Sequence, residues 1–316
     1  MGGIQKIFGS RPVALAPMAG VTDAPFRSVV RSLGPTLLYS EMVASKELLR
    51  ERKSTALRLR AERHLAPFAI QLAGRDAPSM AEAARLAAGE GADFIDINMG
   101  CPAKKVVGGL CGSALMKEPL LAVSIAKAVV EAVSIPVTVK MRLGWNDAER
   151  NAPELARLLE AEGVQAVSVH GRTRCQFYNG SADWNYIAEV KSAVSIPVLA
   201  NGDVTTPDQA LEILKASGAD GVMVGRGAFG QPWVLMQMQD AVDGKILRSE
   251  PETRVKWQLA LTQYRASLSH YGEELGRRVV RKHLGWYAER LVVPKQLRDE
   301  LVSIGNAEPL LERLAA

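Results

Sequence analysis

The chain of 316 residues is poor in cysteine, with three, and poor in aromatic side chains, at 5%. Cys101, Cys111 and Cys175 are widely spaced and odd in number, with no C-x-x-C pair, which excludes a disulfide framework and a four-sulfur metal site. Any cysteine with a role is therefore a free thiol. No metal-ligand cluster stands elsewhere, so no metal is expected. No apolar run approaches the roughly 20 residues that cross a bilayer, and Met1 to Pro12 lack the apolar stretch of a secretion signal. The expectation is a cytoplasmic protein without membrane contact, and nothing in the sequence requires more than a monomer. What is present is ordinary for a globular chain with a large core: 47% hydrophobic and 23% charged residues. The net charge of +5 permits a polyanionic partner without requiring one. The length suits a barrel of roughly 250 residues with a modest appendage.

To about residue 230, short β-branched or apolar runs alternate with Ala/Leu/Glu-rich segments of helical period, the pattern of consecutive βα units. The runs are Val13 to Met18, Leu37 to Met42, Phe68 to Leu72, Phe94 to Asn98, Val137 to Arg142, Ala166 to His170, Val198 to Asn201 and Gly221 to Gly225. Eight strands predict an α/β fold, a closed (β/α)8 TIM barrel over residues 1–240. Gly91, Gly163 and Gly218 each stand between a helical pattern and the next run, where a residue tolerant of left-handed φ is needed. Ser134-Ile135-Pro136-Val137 recurs as Ser195-Ile196-Pro197-Val198, and Thr206-Pro207-Asp208-Gln209 reads as a capping box. Beyond Pro251 the alternation stops. Helical patterns from Glu252 to Tyr271 and Glu274 to Leu291 predict a small all-helical domain over residues 251–316, joined by a linker from Gln239 to Glu250.

Parallel barrel strands are covered on both faces, so each polar residue in them requires a reason. Glu41, Gln71, Asp96, Asn98, Lys140, Arg142, His170, Asn201 and Arg226 all fall near the C-terminal ends of their runs. Those ends converge on the face where barrel enzymes hold their sites. Lys140 is costly to bury unless an anion or electron-rich ligand balances it, or unless it pairs with Glu41 or Asp96. Asn201-Gly202-Asp203 and Gly225-Arg226-Gly227 close the seventh and eighth runs. The loops at those positions are the usual phosphate site of this fold, so a phosphorylated cofactor is implied. No G-x-G-x-x-G follows the first strand, and dinucleotide binding of the Rossmann kind is not indicated.

Cys101 begins the loop after the fourth run, between Gly100 and Pro102, which fix a tight backbone there. A cysteine is often only a small apolar residue. With a phosphorylated cofactor beside it, however, a loop thiol suits reduction of an activated double bond. Uracil illustrates the chemistry: hydride from a reduced flavin adds at C6, and the resulting enolate needs a proton at C5. A free thiol, with a pKa of about 8.5, is mostly protonated at neutral pH and can supply it.

The motifs are similar to those of the tRNA-dihydrouridine synthases, most closely the bacterial B subgroup, from about Ile4 into the C-terminal helices. The resemblance is carried by Ala16 to Asp23, Gln71-Leu72-Ala73-Gly74, Asp96 to Lys105, Lys140-Met141-Arg142, His170-Gly171-Arg172-Thr173, Asn201-Gly202-Asp203 and Gly225-Arg226. It implies FMN over the barrel mouth, touched by Pro17, Met18 and Ala19, with Gln71, Lys140 and His170 at the ring system. It places Asn201, Gly202, Asp203, Gly225 and Arg226 at the ribityl phosphate, and makes Cys101 the proton donor. Asn98, Arg142 and Arg172 match positions that look like uracil or RNA contacts. NADPH, or NADH, would be the reductant, tRNA the substrate, and position 17 of the D-loop the modified uridine.

The C-terminal helices resemble the family's tRNA-docking domain. Arg277, Arg278, Arg281 and Lys282 lie at i, i+1, i+4 and i+5, on one helical stripe that can follow phosphates. Trp286 and Tyr287 follow on the same helix, suited to stacking on bases or to packing against the barrel. Two other readings stand beside this one. One is an FMN barrel acting on a free pyrimidine, such as a dihydroorotate or dihydropyrimidine dehydrogenase, which would not need the basic helices. The other is an RNA-binding regulatory protein that retains the barrel without catalysis.

Overall fold

Apolar runs alternating with helices build a parallel sheet because each crossover helix returns the chain to the same end. The computed structural model of the chain describes residues 3–34, 36–50, 65–303 and 305–316. Its strands are β1 (Val13–Leu15), β2 (Leu38–Tyr39), β3 (Val43–Ala44), β4 (Phe68–Ala73), β5 (Phe94–Met99), β6 (Val137–Arg142), β7 (Ala166–His170), β8 (Val198–Asn201) and β9 (Gly221–Val224). Its helices are α1 (Gly3–Phe8), α2 (Ala24–Leu33), α3 (Ser45–Arg50), α4 (Ala77–Gly89), α5 (Lys104–Gly108), α6 (Pro119–Ala132) and α7 (Ala152–Ala161). They continue as α8 (Trp184–Ala193), α9 (Pro207–Ser217), α10 (Val234–Val242), α11 (Thr253–Tyr271), α12 (Glu273–Arg290), α13 (Lys295–Ser303) and α14 (Glu308–Ala315).

All strand pairs are parallel, in the order β1-β9-β8-β7-β6-β5-β4-β2. Leu15 N donates to Leu37 O at 2.9 Å, which brings β1 back beside β2 and nearly closes the barrel. The period of two assigns faces. Ile70, Leu72, Ile95, Ile97, Val137, Val139 and Met141 face the helices, in one large buried cluster. Ala14, Tyr39, Ala69, Phe94, Ala166, Leu199 and Met223 fill the interior. Ile4 and Phe8 of α1 plug its N-terminal end, with the Phe8 ring 5.8 Å from that of Phe94.

Two strands depart from the sequence expectation. The first stops at Leu15 rather than Met18: Pro17 has no N–H to give the ladder, and Met18 N donates to Thr22 Oγ1 at 2.9 Å. The second is broken in two. Ser40 Oγ takes the N–H of Gln71 at 2.9 Å and donates to Glu41 O at 2.7 Å, so a side chain replaces the backbone in the ladder between β2 and β3. Gly91, Gly163 and Gly218 do adopt positive φ, at 95°, 91° and 62°. Thr206 caps α9 by accepting from Gln209 N, while the Gln209 side chain reaches back to Thr205 N rather than to Thr206 N.

The C-terminal helices have their own core of Trp257, Tyr264, Val280, Leu284, Tyr287, Leu301 and Leu311, joined by Trp233. The linker expected from Gln239 starts later, because Gln239 lies within α10 and holds the barrel's lower rim. Its side chain accepts from Val13 N at 2.9 Å and donates to Arg11 O at 3.0 Å. Trp286 stacks on Phe229 with ring centroids 3.9 Å apart, and Tyr287 is buried, so this aromatic pair packs inward rather than facing RNA. The approach is close enough that a Cβ on Gly230 would lie 2.2 Å from Trp286 O.

Candidate active site

Above the apolar interior the inward positions turn polar, strand by strand. Gln71 on β4, Asn98 on β5, Lys140 and Arg142 on β6, His170 on β7 and Asn201 on β8 continue the inward parity and meet around one cavity of about 710 Å³. The β1 end supplies Pro17, Met18 and Ala19, and the turns after β8 and β9 supply Gly202, Asp203, Gly225 and Arg226. Cys101 stands on the rim of the same cavity. Of the strand-end polar residues, Glu41 and Asp96 are not in it. The break at Ser40 turns Glu41 outward, where its carboxylate accepts from Gly20 N and borders a separate groove with Tyr271 and Lys282. Asp96 is fully buried one layer below, where burial raises its carboxyl to about 6 against the opposing bonds from Thr138 and Gln71 and the charge of Lys140.

Lys140 Nζ donates to Asn201 Oδ1 at 3.1 Å. Asn201 is itself oriented by donating to Met223 O at 2.7 Å. The alternative ion pair of Lys140 with Glu41 or Asp96 is not made among the described residues. Burial, then the charge of Arg142, lowers the Lys140 ammonium to about 8, so it remains charged at neutral pH in a cavity without a paired carboxylate. His170 is held in one form. Its pKa falls well below the usual value through burial and the charges of Lys140, Arg142, Arg172 and Arg226, so the ring is neutral. Its Nε2 lies 3.3 Å from Arg172 Nη1, which can only donate. Nε2 is therefore the acceptor, and the ring proton sits on Nδ1.

The Cys101 loop is fixed from three sides. Asn98 Oδ1 accepts from Cys101 N at 2.9 Å and from Gly100 N at 3.2 Å. Arg142 Nε donates to Gly100 O at 2.8 Å, and Ser113 Oγ donates to Cys101 O at 2.9 Å. Two more donations from Arg142 Nη1, to Thr173 O and Phe177 O at 2.8 Å each, pin the loop after β7. Arg142 Nη2 makes no hydrogen bond among the described residues and is the donor left at the cavity. Among those residues the N–H groups of Gly202, Asp203, Gly225 and Arg226 likewise donate to no protein group. Four free donors with Arg226 above them suit an anion.

Arg172 departs from the expectation of a substrate contact: it lies outside the cavity lining and is 2% exposed. All five of its N–H bonds are taken, by Asn179 O, His170 Nε2, Gly180 O and the two oxygens of Asp203. The sequence reading missed Tyr178, whose half-exposed ring lies beneath two guanidinium groups, 5.6 Å from that of Arg142 and 4.9 Å from that of Arg226. Phe177, at φ 52°, and Phe229 also line the cavity. These aromatics lie in irregular loops without periodicity, and a concentration of rings in the short stretch Phe177-Tyr178 after β7 was the one available signal. On α12, Arg278, Arg281 and Lys282 are exposed, whereas Arg277 is half-buried and bonded to Glu273 at 2.8 Å.

A parallel barrel with one deep, cation-rich cavity at its C-terminal rim defines a TIM-barrel enzyme. The comparisons then place the chain: it belongs to the dihydrouridine synthase family, whose model matches residues 14–315. A probable tRNA-dihydrouridine synthase of Rhodobacter capsulatus is 53% identical over 92% of this chain and 90% of its own length. The tRNA-dihydrouridine synthase B of Pseudomonas syringae pv. tomato is 45% identical over 90% of this chain and 84% of its own. Among solved structures, morphinone reductase shares the barrel fold, with a TM-score of 0.54 and 12% identity over 78% of this chain and 88% of that one. No helix among the described residues is long and apolar enough to cross a membrane.

Proposed function

We propose that this protein is a tRNA-dihydrouridine synthase that reduces the C5=C6 bond of a D-loop uridine, at position 17 by its likeness to the B subgroup. FMN is the resident cofactor and NADPH the reductant in this reading. The four unpartnered N–H groups at the ends of β8 and β9, with Arg226, fit the FMN phosphate, and the charged Lys140 fits the electron-rich ring system. When bound, FMN supplies the hydride that adds at uracil C6.

The chain's own residues do the rest. Lys140, Gln71 and the neutral His170 hold the cofactor from the strand ends, with His170 Nδ1–H as a donor of fixed position. Arg142 Nη2 is free to bond a uracil carbonyl, where a positive donor stabilises negative charge on the enolate. Cys101 Sγ then gives its proton to C5, and its loop, tied to Asn98 and Arg142, keeps the thiol from wandering. Arg278, Arg281 and Lys282 face outward on α12, where they can follow the phosphates of the tRNA.

The observation that carries this reading is the single cavity shared by Cys101, Lys140 and the two glycine-bearing strand ends. Its test is Cys101→Ala. The variant is expected to purify yellow and to oxidise NADPH, yet to form under about 1% of the parent's dihydrouridine in tRNA, since a general acid contributes roughly 10²–10⁴-fold. Full dihydrouridine formation by the variant would refute Cys101 as the acid. A colourless parent protein would refute the flavin, and turnover of free uracil as fast as of tRNA would favour a free-pyrimidine enzyme.

A further inference from the structure

Asp96 touches neither cavity nor solvent, and the reaction as proposed gives it nothing to do. It is nonetheless the first member of an unbroken chain of hydrogen bonds that ends on the backbone of Cys101. Thr138 Oγ1 donates to one Asp96 oxygen and Gln71 Nε2 to the other, both at 2.6 Å. Gln71 Oε1 accepts from Asn98 Nδ2 at 2.8 Å, and Asn98 Oδ1 accepts from Cys101 N at 2.9 Å.

The direction of this chain is set at its two ends. An ionised carboxylate only accepts, and a backbone N–H only donates. Between them stand two primary amides, each of which can turn over and exchange its oxygen for its NH₂ group at little cost in shape. With Asp96 as acceptor, Gln71 must present Nε2 downward and Oε1 upward, which requires Nδ2 of Asn98 on the facing side and Oδ1 toward Cys101. Without it, both amides can invert together, and Asn98 then presents NH₂ to the N–H of Cys101, donor against donor. A buried clash of that kind costs more than the lost bond.

We propose that Asp96 is a positioning residue for Cys101, acting through the amides of Gln71 and Asn98 to fix the backbone that carries the thiol. The consequence for catalysis rests on the reading of Cys101 as proton donor, but the relay itself does not. The bonds of Arg142 and Ser113 to the carbonyls of Gly100 and Cys101 stay in place without it, so the relay's specific contribution is to the two N–H groups.

Backbone hydrogen exchange at Gly100 and Cys101 reads those N–H groups directly, in the whole purified chain at matched cofactor content. Asp96→Asn keeps its amide oxygen on Thr138 and turns a donor toward Gln71, which sets both amides in the inverted direction. It is expected to speed exchange at both amides at least tenfold, with the β8 amides unchanged. In the double variant Asp96→Asn with Gln71→Glu, the amide now at position 96 still accepts from Thr138 and donates to the new carboxylate at position 71. The other oxygen of that carboxylate still accepts from Asn98. Exchange should return to within threefold of the parent. Parent-like exchange in the single variant, or exchange in the double variant as fast as in the single, overturns the relay. If the single variant does not fold, the double decides: folding with parent-like exchange supports the relay, and failure to fold overturns it. Dihydrouridine formation by Cys101→Ala is a separate measurement, so failure of the relay and failure of the acid assignment are distinguishable.

Discussion

Arg172 and Asp203 are joined by two parallel bonds, Nη1 to Oδ1 at 2.9 Å and Nη2 to Oδ2 at 2.7 Å, across the ends of β7 and β8. The pair holds Asp203 at φ 57°, a left-handed conformation uncommon outside glycine, and leaves Arg172 as the donor that fixes the His170 tautomer. One buried guanidinium thus shapes both the turn after β8 and the histidine at the end of β7.

Arg172→Ala is therefore expected to act on stability and on cofactor retention together. Breaking a fully buried pair costs about 3–5 kcal/mol; the Asp203 side chain keeps 31% of its surface exposed, so water reduces this to about 2–3 kcal/mol. Urea unfolding measures it, and an unchanged midpoint would show that the pair contributes nothing. Arg172→Lys should recover only part of the loss, because an ammonium cannot supply the two-pronged contact.

Asp96 makes folding depend on pH in an unusual sense for a carboxylate. Burial is the main cause that raises it from 3.8 to about 6 in the folded protein, so the folded state binds the proton more tightly than the unfolded chain. Stability is then greatest below about pH 4 as far as this group is concerned, and falls as pH rises from about 4 to about 6. The loss is on the order of 3 kcal/mol, from about two units at roughly 1.36 kcal/mol each. Asp96→Asn removes this component, so the difference between the urea midpoints of parent and variant should slope across that range. Parallel profiles for the two proteins would exclude the shift.

The barrel and most of its cavity were legible because the strands obey a strict period of two. With Asn98, Lys140 and His170 at strand ends of matching parity, their convergence follows from the fold. The exceptions share a physical cause. Glu41 was misplaced because Ser40 breaks its ladder through a side-chain bond, which leaves no mark in hydrophobic periodicity. Arg172 was misread because its partner Asp203 lies 31 residues away, and no local pattern says that an arginine folds inward to a bidentate pair. Tyr178 owes its position to two guanidinium groups on separate strand ends, again a tertiary relationship.

The stack of Phe229 on Trp286 ties the turn after β9, the one proposed to hold the FMN phosphate, to helix α12. Such pairs contribute about 0.5–1.5 kcal/mol beyond area burial, which corresponds to a factor of roughly 2–13 in an equilibrium. Trp286→Ala should weaken FMN retention by about that factor, read by recovery of flavin fluorescence on dilution. Loss of flavin at the parent's rate would show that the turn holds its shape without the helix.

The basic face of α12 gives the sharpest test of how tRNA is held, because its four cations are not equivalent. Arg278 and Arg281 are exposed and make no ion pair among the described residues, whereas Arg277 is half-buried and bonded to Glu273. A cation that neutralises a phosphate releases a condensed counterion, so removing it lowers the slope of log affinity against log salt by about one. Arg278→Ala and Arg281→Ala should each lower the slope for tRNA by about that much, additively in the double variant. Arg277→Ala should change it by less than half, since its charge is already offset by a carboxylate. Binding titrations between low and physiological potassium chloride measure the parent and the four variants. Equal effects at the three positions would mean that Glu273 releases Arg277 when tRNA binds, and no effect at any would move the docking surface off α12.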